Sequence, residues 1–383
     1  MTLHLCYYAT EKNTLVSAVT KFLFMKFSKG FFFFLLVPAT VISTGCTKNY
    51  NDVPAPATPA IKVMVTTLAG DGTDGYGNGT ALAAKFSAPI DVAVASDGTV
   101  YVADYLNHRI RKIANGQVTT FAGNQTRAIL DDMGEAASFK DPYRIAVDAD
   151  NNVYVLDQSD PRIRKISPGA VVTTYAGTDQ PGFLNGGSLI AQFALNAEGI
   201  VTDGQGNVYV GDTFNNRIRK IGTSAQVSTL SGDGKEGLND GNPDVAEFRF
   251  PDGITIDNQG NLYVIDNNFY IRKITPAGVV SRFAGSGVQG RKDGNRDEAQ
   301  FYSIGDIVAD SHGNLYVSDD NTIRKITPDG TVSTIAGNGT RGYADGDGPT
   351  ARFKDIIGLG IDVQGNIYAA DVNNNRIRKI SFP

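Results

Sequence analysis

Six polar side chains stand at matching places in successive segments of the chain, and together they could form a binding site. They are Asp91, Tyr143, Arg144, Glu198, Asp252 and Asp306. Carboxylates supply the oxygen ligands that Ca²⁺ prefers, and a carboxylate whose pKa is raised by burial can act as a general base. Arginine and tyrosine add hydrogen-bond donors for a polar ligand. These residue types predict a site for a small ligand or a metal ion. The alternative is that they are ordinary polar residues that line a water-filled channel.

Composition excludes several other kinds of site. The 383 residues include three His and two Cys; with His4 in the N-terminal region, His108 and His312 are too few for a three-histidine zinc centre, and no Ser/His/Asp arrangement can be assembled. A net charge of −5 argues against a nucleic-acid surface, because phosphate binding normally leaves a basic excess. No cofactor is therefore expected, with Ca²⁺ as the metal that the acidic residues could hold.

An internal repeat places the six residues. The phrase Ile-Arg-Lys-Ile occurs six times, each time after a Tyr-(Val/Ala)-x-Asp phrase whose Asp recurs at intervals of 52 to 55 residues. The recurring aspartates are Asp104, Asp157, Asp212, Asp266, Asp319 and Asp371. The candidate site residues lie 13 or 14 positions before these aspartates, where the repeats differ from one another. Ligand specificity is expected where repeats differ, since faithfully repeated residues maintain the fold.

Each repeat contains four short strand-like runs, joined by turn residues, and no helical period. In the fourth repeat the runs are 253–257, 261–265, 271–274 and 279–283. The pattern predicts an all-β fold, a six-bladed β-propeller of four-stranded antiparallel blades. The innermost strands of a propeller line its central channel, so the six polar side chains should converge at one mouth of that channel.

The two chain ends are expected to close the ring. The last repeat stops after its third strand, whereas 63–69 matches the fourth-strand phrase of the other repeats. We therefore predict that 63–69 supplies the outer strand of the last blade, beside 376–380, and that the propeller domain spans 63–383. Pairing the ends in this way removes an open sheet edge.

The repeat resembles the NHL repeat. The fourth unit shows Pro-x-Gly-Ile-x-x-Asp at 251–257, and the third shows Gly-Asn-x-Tyr-Val-x-Asp at 206–212 and Asn-x-Arg-Ile at 215–218. The pattern departs from the family at Tyr270 and Thr322, where Arg is usual. The resemblance covers about 63–383 and implies a six-bladed propeller. The resemblance is specific to the fold and not to an activity, and it implies six-bladed relatives that include lactonases and lyases whose sites lie at the channel mouth.

Several repeated motifs are interpreted as structural. The recurring Asp should bond the loop backbone that leads into Asn-x-Arg, and the Arg-Lys pairs should keep the outer edge solvated. Four Gly-x-Gly-x-x-Gly phrases, at 70–75, 232–237, 285–290 and 337–342, open loops and are not followed by a helix, so they indicate turns and not nucleotide sites. The Asp-rich loops lack the ligand spacing of an EF-hand and are interpreted as solvated turns.

The N-terminal region predicts export. Lys26 and Lys29 precede an apolar run at 31–37 that is too short to span a bilayer, and Ser-Thr-Gly-Cys follows, ending at Cys46. Residues 1–46 therefore form a signal region whose end resembles a bacterial lipobox with Cys46 as the lipidated residue; cleavage by an ordinary signal peptidase is the alternative. The true start could be Met25. Residues 47–62, with three prolines, predict an extended tether.

The sequence thus favours a binding or scaffold module over an enzyme. We expect an exported monomer, attached to the membrane only through its lipid anchor, that presents the propeller in the cell envelope. An outer-membrane lipoprotein is preferred over a soluble periplasmic protein. Its partner would be a small ligand, a protein or a glycan, and not a nucleic acid. The alternative is an enzyme of the lactonase or lyase type that uses acidic residues, and a divalent metal, at the channel mouth.

Overall fold

The computed structural model describes residues 62–383. The signal region, Met25, Cys46 and all of the predicted tether except Lys62 lie outside the described residues. Within 62–383, helices are single 3₁₀ turns, and none approaches the length and apolarity that crossing a bilayer requires.

Six antiparallel sheets, numbered here as blades 1 to 6 in the order of their innermost strands, make up the fold. The innermost strands are Pro89–Val94, Pro142–Val147, Gly199–Thr202, Pro251–Ile256, Ile304–Ala309 and Ile356–Ile361. The second strands are Val100–Asp104, Val153–Asp157, Val208–Asp212, Leu262–Asp266, Leu315–Asp319 and Ile367–Asp371. The third strands are Arg109–Ala114, Asp160–Ile166, Arg217–Ile221, Tyr270–Ile274, Thr322–Ile326 and Arg376–Ser381. The outer strands of blades 1 to 5 are Gln117–Ala122, Val172–Ala176, Gln226–Ser231, Val280–Ala284 and Val332–Ala336. The all-β, six-bladed prediction is confirmed.

Three blades carry a short fifth strand that the repeat did not predict. The two-residue strands Gly79–Thr80, Gly186–Gly187 and Gly346–Asp347 pair with the outer strands of blades 1, 3 and 6. The 3₁₀ turns are Ala81–Ala83, Tyr105–Asn107, Gly134–Ala136, Thr213–Asn215, Gly348–Thr350 and Val372–Asn374. The extra strands arise where the loop between blades folds back along the outer edge, which shields that edge.

The N-terminal strand closes the ring as predicted. Met64–Ala69 lies antiparallel to Arg376–Ser381, with Val65 opposite Ile380 and Thr66 opposite Lys379. It takes the outer position of blade 6, so that blade combines strands from both ends of the described chain.

A phenylalanine from each repeat fills the space between adjacent blades. Phe86, Phe139, Phe193, Phe248, Phe301 and Phe353 are essentially without solvent exposure. Aliphatic residues of the second strands pack around them, so that the hydrophobic core is a ring of clusters and each cluster draws on two neighbouring blades. Both faces of each sheet are buried, which explains why the strands are apolar on both sides.

The expectation that the Arg-Lys pairs form a solvated edge is wrong for arginine. Arg111, Arg164, Arg219, Arg272, Arg324 and Arg378 are among the most deeply buried side chains of the molecule. Five of them form an ion pair with the recurring Asp of their own blade, for example Arg219 Nη1 to Asp212 Oδ2 at 2.6 Å. The lysines fit the prediction better, since they are partly exposed, and in five blades they lie over a tyrosine ring, as Lys220 does 5.4 Å from Tyr209.

The recurring aspartates are structural, although their contacts differ from the prediction. Asp212 accepts hydrogen bonds from the backbone N–H of Ala194, from the Asn215 amide and from Arg219. Asp212 therefore ties the segment after Phe193, the recurring phenylalanine of this blade, to the third strand as well as to the loop before that strand. The second side of each arginine binds the long loop between blades, where Asn185 in blade 3 and Asp240 in blade 4 accept its Nη2.

Blade 2 departs from this arrangement. Its loop after the second strand reads Gln-Ser-Asp-Pro, and Arg164 forms its ion pair with Asp131 of the loop that precedes the blade. Asp157 instead accepts backbone hydrogen bonds from Lys140, Asp141 and Ser159. Burial raises the pKa of Asp157 to about 6, although these three backbone hydrogen bonds oppose the shift.

Candidate functional site

The six sequence-predicted residues all lie where the innermost strands begin, at one end of the central channel; we call this end the mouth. Three of them, Asp91, Arg144 and Asp306, are almost completely buried. Tyr143, Glu198 and Asp252 are half-buried. The prediction that these side chains converge is thus matched by their placement, whereas a ligand at this place stays a prediction.

Glycines at the equivalent places in other blades make room for the buried acids. A Cβ atom on Gly358 would lie 2.1 Å from Asp91 Oδ1, and one on Gly253 would lie 2.8 Å from Asp306 Oδ1. Each acid therefore fills the space left by a glycine of the neighbouring blade. The difference between repeats at this position therefore reflects packing: one blade carries a large side chain, and the adjacent blade carries a glycine that leaves room for it.

Arg144 crosses the channel from blade 2. Its Nε donates to the carbonyl oxygen of Glu198 at 3.0 Å, and its Nη2 donates to the carbonyl oxygen of Gly305 at 2.6 Å and to Asp252 Oδ1 at 3.3 Å. Its Nη1 lies 3.9 Å from Asp306 Oδ2 and makes no hydrogen bond with the described residues. One side chain thereby contacts blades 3, 4 and 5, which closes the channel beneath the mouth.

Asp91 and Asp306 link adjacent blades. Asp91 accepts hydrogen bonds from the backbone N–H groups of Val92 and, in blade 2, Ile145, both at 2.8 Å. Asp306 likewise accepts from Leu359 of blade 6 at 2.8 Å. These carboxylates are committed to the inner wall of the ring, so they are less suited to ligand binding than the sequence suggested.

A cavity of about 170 Å³ lies beyond this closure, along the innermost strands. Asp91, Arg144 and Asp306 line one end, Thr202 and Thr255 are also part of the wall, and the rest is largely aliphatic. A second recess, of about 630 Å³, lies between blades 5 and 6 at the opposite end of the strands from the mouth, with His312, Tyr316 and Phe382 in its lining. His108 lies instead in the turn after the second strand of blade 1, so the two histidines do not share a site.

The mouth also contains an aromatic pair that sequence reasoning missed. The rings of Phe214 and Phe250 meet edge to face with centroids 5.7 Å apart, and the residues are 56% and 38% exposed. Thr213 joins the segments that carry them: its hydroxyl accepts the N–H of Glu198 and donates to the carbonyl of Pro251. Phe214 matches Leu106 in blade 1 and Asn373 in blade 6, so the rule that differing positions mark a site could have found it.

Burial governs the ionisation of the mouth. Removal from water raises the pKa of Asp252 to about 7, although Arg144 opposes the shift; Glu198 and Asp306 add to it. Burial also raises the pKa values of Glu198 and Asp306, against the opposing charge of Arg144, and that of Asp91, where Asp306 adds to the effect. These four carboxyl groups are more easily protonated than ordinary ones, and Asp252 can exchange a proton near neutral pH.

The arrangement does not fit the expected Ca²⁺. Within 62–383, no three carboxylate, imidazole or thiol groups come together as metal ligands. In the mouth, the Arg144 guanidinium stands between Asp252 and Asp306, where a metal ion would have to bind. In the Asp-rich loops, Asp240 and Asp345 are already paired with Arg272 and Arg378.

Comparison with known proteins agrees with this architecture. Residues 86–113 match the sequence model of the NHL repeat. The chain is a six-bladed β-propeller that carries an NHL repeat. Mouse teneurin-3 is 26% identical to it over 353 residues, which cover 79% of this chain and 13% of teneurin-3. This chain thus spans a small part of that relative.

Two solved propellers illustrate the range of proteins that share the fold. An auxiliary nutrient binding protein from Bacteroides thetaiotaomicron superposes with a TM-score of 0.63 at 20% identity, covering 84% of this chain and 76% of that one. A gluconolactonase from Xanthomonas campestris gives a TM-score of 0.55 at 11% identity, covering 86% and 94%. At these identities the likeness establishes the fold and not an activity.

Proposed function

We propose that this NHL propeller is a binding module that holds a small polar ligand at its mouth. The observation that carries the proposal is that two half-buried carboxylates, Glu198 and Asp252, lie on segments that Thr213 ties to the exposed aromatic pair Phe214 and Phe250. Solvent-exposed aromatic rings next to a few placed polar groups are typical of ligand sites. The auxiliary nutrient binding protein, which shares the fold, lends the proposal further support.

Binding is tested with the full chain against a library of sugars, amino acids, amines and organic acids, read out as a shift in Tm. A ligand that stabilises the native chain should lose most of its Tm shift in the double variant Glu198→Gln/Asp252→Asn. The two amides introduced by these substitutions keep the shape of the site but remove its negative charge. Glu298→Gln, on an exposed loop, is the matched control. If no compound raises Tm, or the shift survives in the double variant, the mouth is not the binding site.

We further propose that the module is an exported lipoprotein of the bacterial cell envelope, in the outer membrane and monomeric. The lipobox-like end at Cys46 and the proline-containing 47–62 support this, as does the Bacteroides origin of the nutrient-binding neighbour. The test is incorporation of a labelled fatty acid by a bacterial host. Label and membrane association should disappear in Cys46→Ser and persist in Cys6→Ser, and label in the Cys46→Ser chain would refute the anchor.

An enzyme of the lactonase type is the second candidate, and a single observation favours it. The pKa of Asp252, about 7, suits a general base at neutral pH. If the mouth hydrolyses a lactone, kcat/KM should rise through about pH 7 and should fall by about 10²-fold or more in Asp252→Asn. Turnover that is unchanged in this variant would exclude Asp252 as the base.

A further inference from the structure

The mouth holds four carboxyl groups and one guanidinium, so its negative charge exceeds its positive charge once more than one carboxyl group is ionised. Four carboxyl groups, those of Asp91, Glu198, Asp252 and Asp306, surround the single guanidinium of Arg144. Because a recess lined by one sign of charge concentrates ligands of the opposite sign, this excess favours a cation over an anion.

The donors of Arg144 are used within the ring and leave acceptors free at the mouth. Arg144 donates to two carbonyl oxygens and to one oxygen of Asp252. Within 62–383, no group donates a hydrogen bond to the Glu198 carboxylate, and none donates to Asp252 Oδ2. These half-buried oxygens lack donors among the described residues, and a ligand that satisfies them must bring hydrogen-bond donors or positive charge.

Aromatic faces complete the pattern. Arg144 already lies over the ring of Tyr143, with its guanidinium carbon 5.0 Å from the ring centroid, so one cation–π contact is built into the mouth. Phe250 lies two residues before Asp252, and Phe214 follows Thr213, whose hydroxyl accepts the N–H of Glu198; more than a third of each phenylalanine is exposed to solvent. A desolvated cation is attracted to the face of such a ring, and sites for substituted ammonium groups combine rings of this kind with negative charge.

Resting on the proposed function, we infer that the ligand of the mouth is an organic cation that carries an ammonium group. The charge would lie between Glu198 and Asp252, and its carbon substituents would lie against Phe214 and Phe250. A neutral sugar could also use the rings and the acceptors, but it would leave the excess negative charge unbalanced, so it is the competing outcome of the test.

The test compares two probes of the same shape. Choline and 3,3-dimethylbutan-1-ol differ in having nitrogen or carbon at the branched centre, and only choline is charged. Calorimetric titration of the full chain should show choline binding at least about tenfold more tightly, a difference within reach of a cation–π contact combined with two carboxylates. Ethanolamine distinguishes a preference for primary over quaternary ammonium groups.

Variants then assign the effect to the mouth. Glu198→Gln/Asp252→Asn should remove the preference for choline and leave the weak affinity for the alcohol unchanged, whereas Phe250→Leu should weaken both probes. Glu298→Gln should alter neither. Circular dichroism of each variant shows whether the fold is retained; if the double variant does not fold, Glu198→Gln alone is used, since the Glu198 side chain makes no hydrogen bond within 62–383.

Proton release is an independent readout. Asp252 faces Arg144, Glu198 and Asp306, and its pKa lies at about 7, so a cation bound beside it favours the ionised form. Choline affinity should rise between about pH 6 and pH 8, and binding at pH 7 should release protons, visible as a buffer-dependent enthalpy.

The outcomes separate the two proposals. Equal affinity for both probes, or binding of neutral sugars without choline, would overturn the cation and leave the binding module standing. Failure of every library compound as well as choline would overturn both.

Discussion

The repeated ion pairs of the blades and the closure of the channel use the same chemical groups for different ends. In five blades a buried Asp meets a buried Arg, and the Asp receives further donors from backbone and asparagine, as Asp212 does. At the mouth, Arg144 donates hydrogen bonds to two backbone carbonyls and to Asp252, and it lies farther from Asp306. The Glu198 carboxylate receives no hydrogen bond within 62–383. The contrast lies in the carboxylates and not in the arginines, because Nε of Arg219 is also buried without a partner within 62–383. Both oxygens of the repeated Asp212 accept hydrogen bonds, whereas the Glu198 carboxylate at the mouth accepts none within 62–383.

The largest effect is expected from breaking a repeated pair. Arg219→Met leaves the buried Asp212 without its cation and should lower the free energy of unfolding by about 3–5 kcal/mol, measured by urea denaturation. Removing the exposed Arg282, which pairs with Asp297 at the surface, should cost about 1 kcal/mol or less.

A double variant sharpens this comparison. Adding Asp212→Asn to Arg219→Met removes the stranded charge but keeps an acceptor for the N–H of Ala194, so it should restore a large part of the lost stability. If the double variant is no more stable than Arg219→Met, the cost arises from lost packing and not from the unpaired charge.

A smaller effect is expected at the closure. Gly358→Ala places a Cβ atom 2.4 Å from the Cα of Asp91 and 2.6 Å from the carbonyl oxygen of Ile90, so two blades must separate slightly. The variant should be destabilised by about 1–3 kcal/mol in urea, the range typical of overpacking. Gly204→Ala is the control, since its added carbon meets no atom within 4 Å. Equal stability of the two variants would mean that the ring adjusts freely.

The smallest effect concerns pH. The pKa of Asp252 is about 7 in the folded chain against 3.8 for an ordinary aspartate, so between these values the native state binds more protons than the unfolded one. The free energy of unfolding should therefore fall as pH rises from about 4 to 7, and Asp252→Asn should reduce that fall by on the order of 1–2 kcal/mol. An identical pH profile for the variant would show that Asp252 has an ordinary pKa.

Sequence reasoning reached the fold more completely than the site. The six recurring aspartates define the blades through their regular spacing. The last repeat lacks a fourth-strand phrase and 63–69 supplies one, so the closure of the ring also follows from the repeat pattern. The burial of the arginines could not be predicted in this way. The alternating pattern assigns Arg219 to one face of its strand, but whether that face is buried depends on the neighbouring blade and on Asn185 from a loop. The aromatic pair was missed because Phe214 and Phe250 lie in different repeats and meet only once the blades are assembled.

The pairing of the first strand with the last has a consequence for biogenesis. Met64 and Ser381 are 317 positions apart, so blade 6 cannot form until almost the whole polypeptide has emerged from the ribosome. The long loop that must close before this contact forms delays the final step of folding. A nascent chain that postpones its last sheet in this way stays incompletely folded during synthesis, a state that would favour the export proposed above.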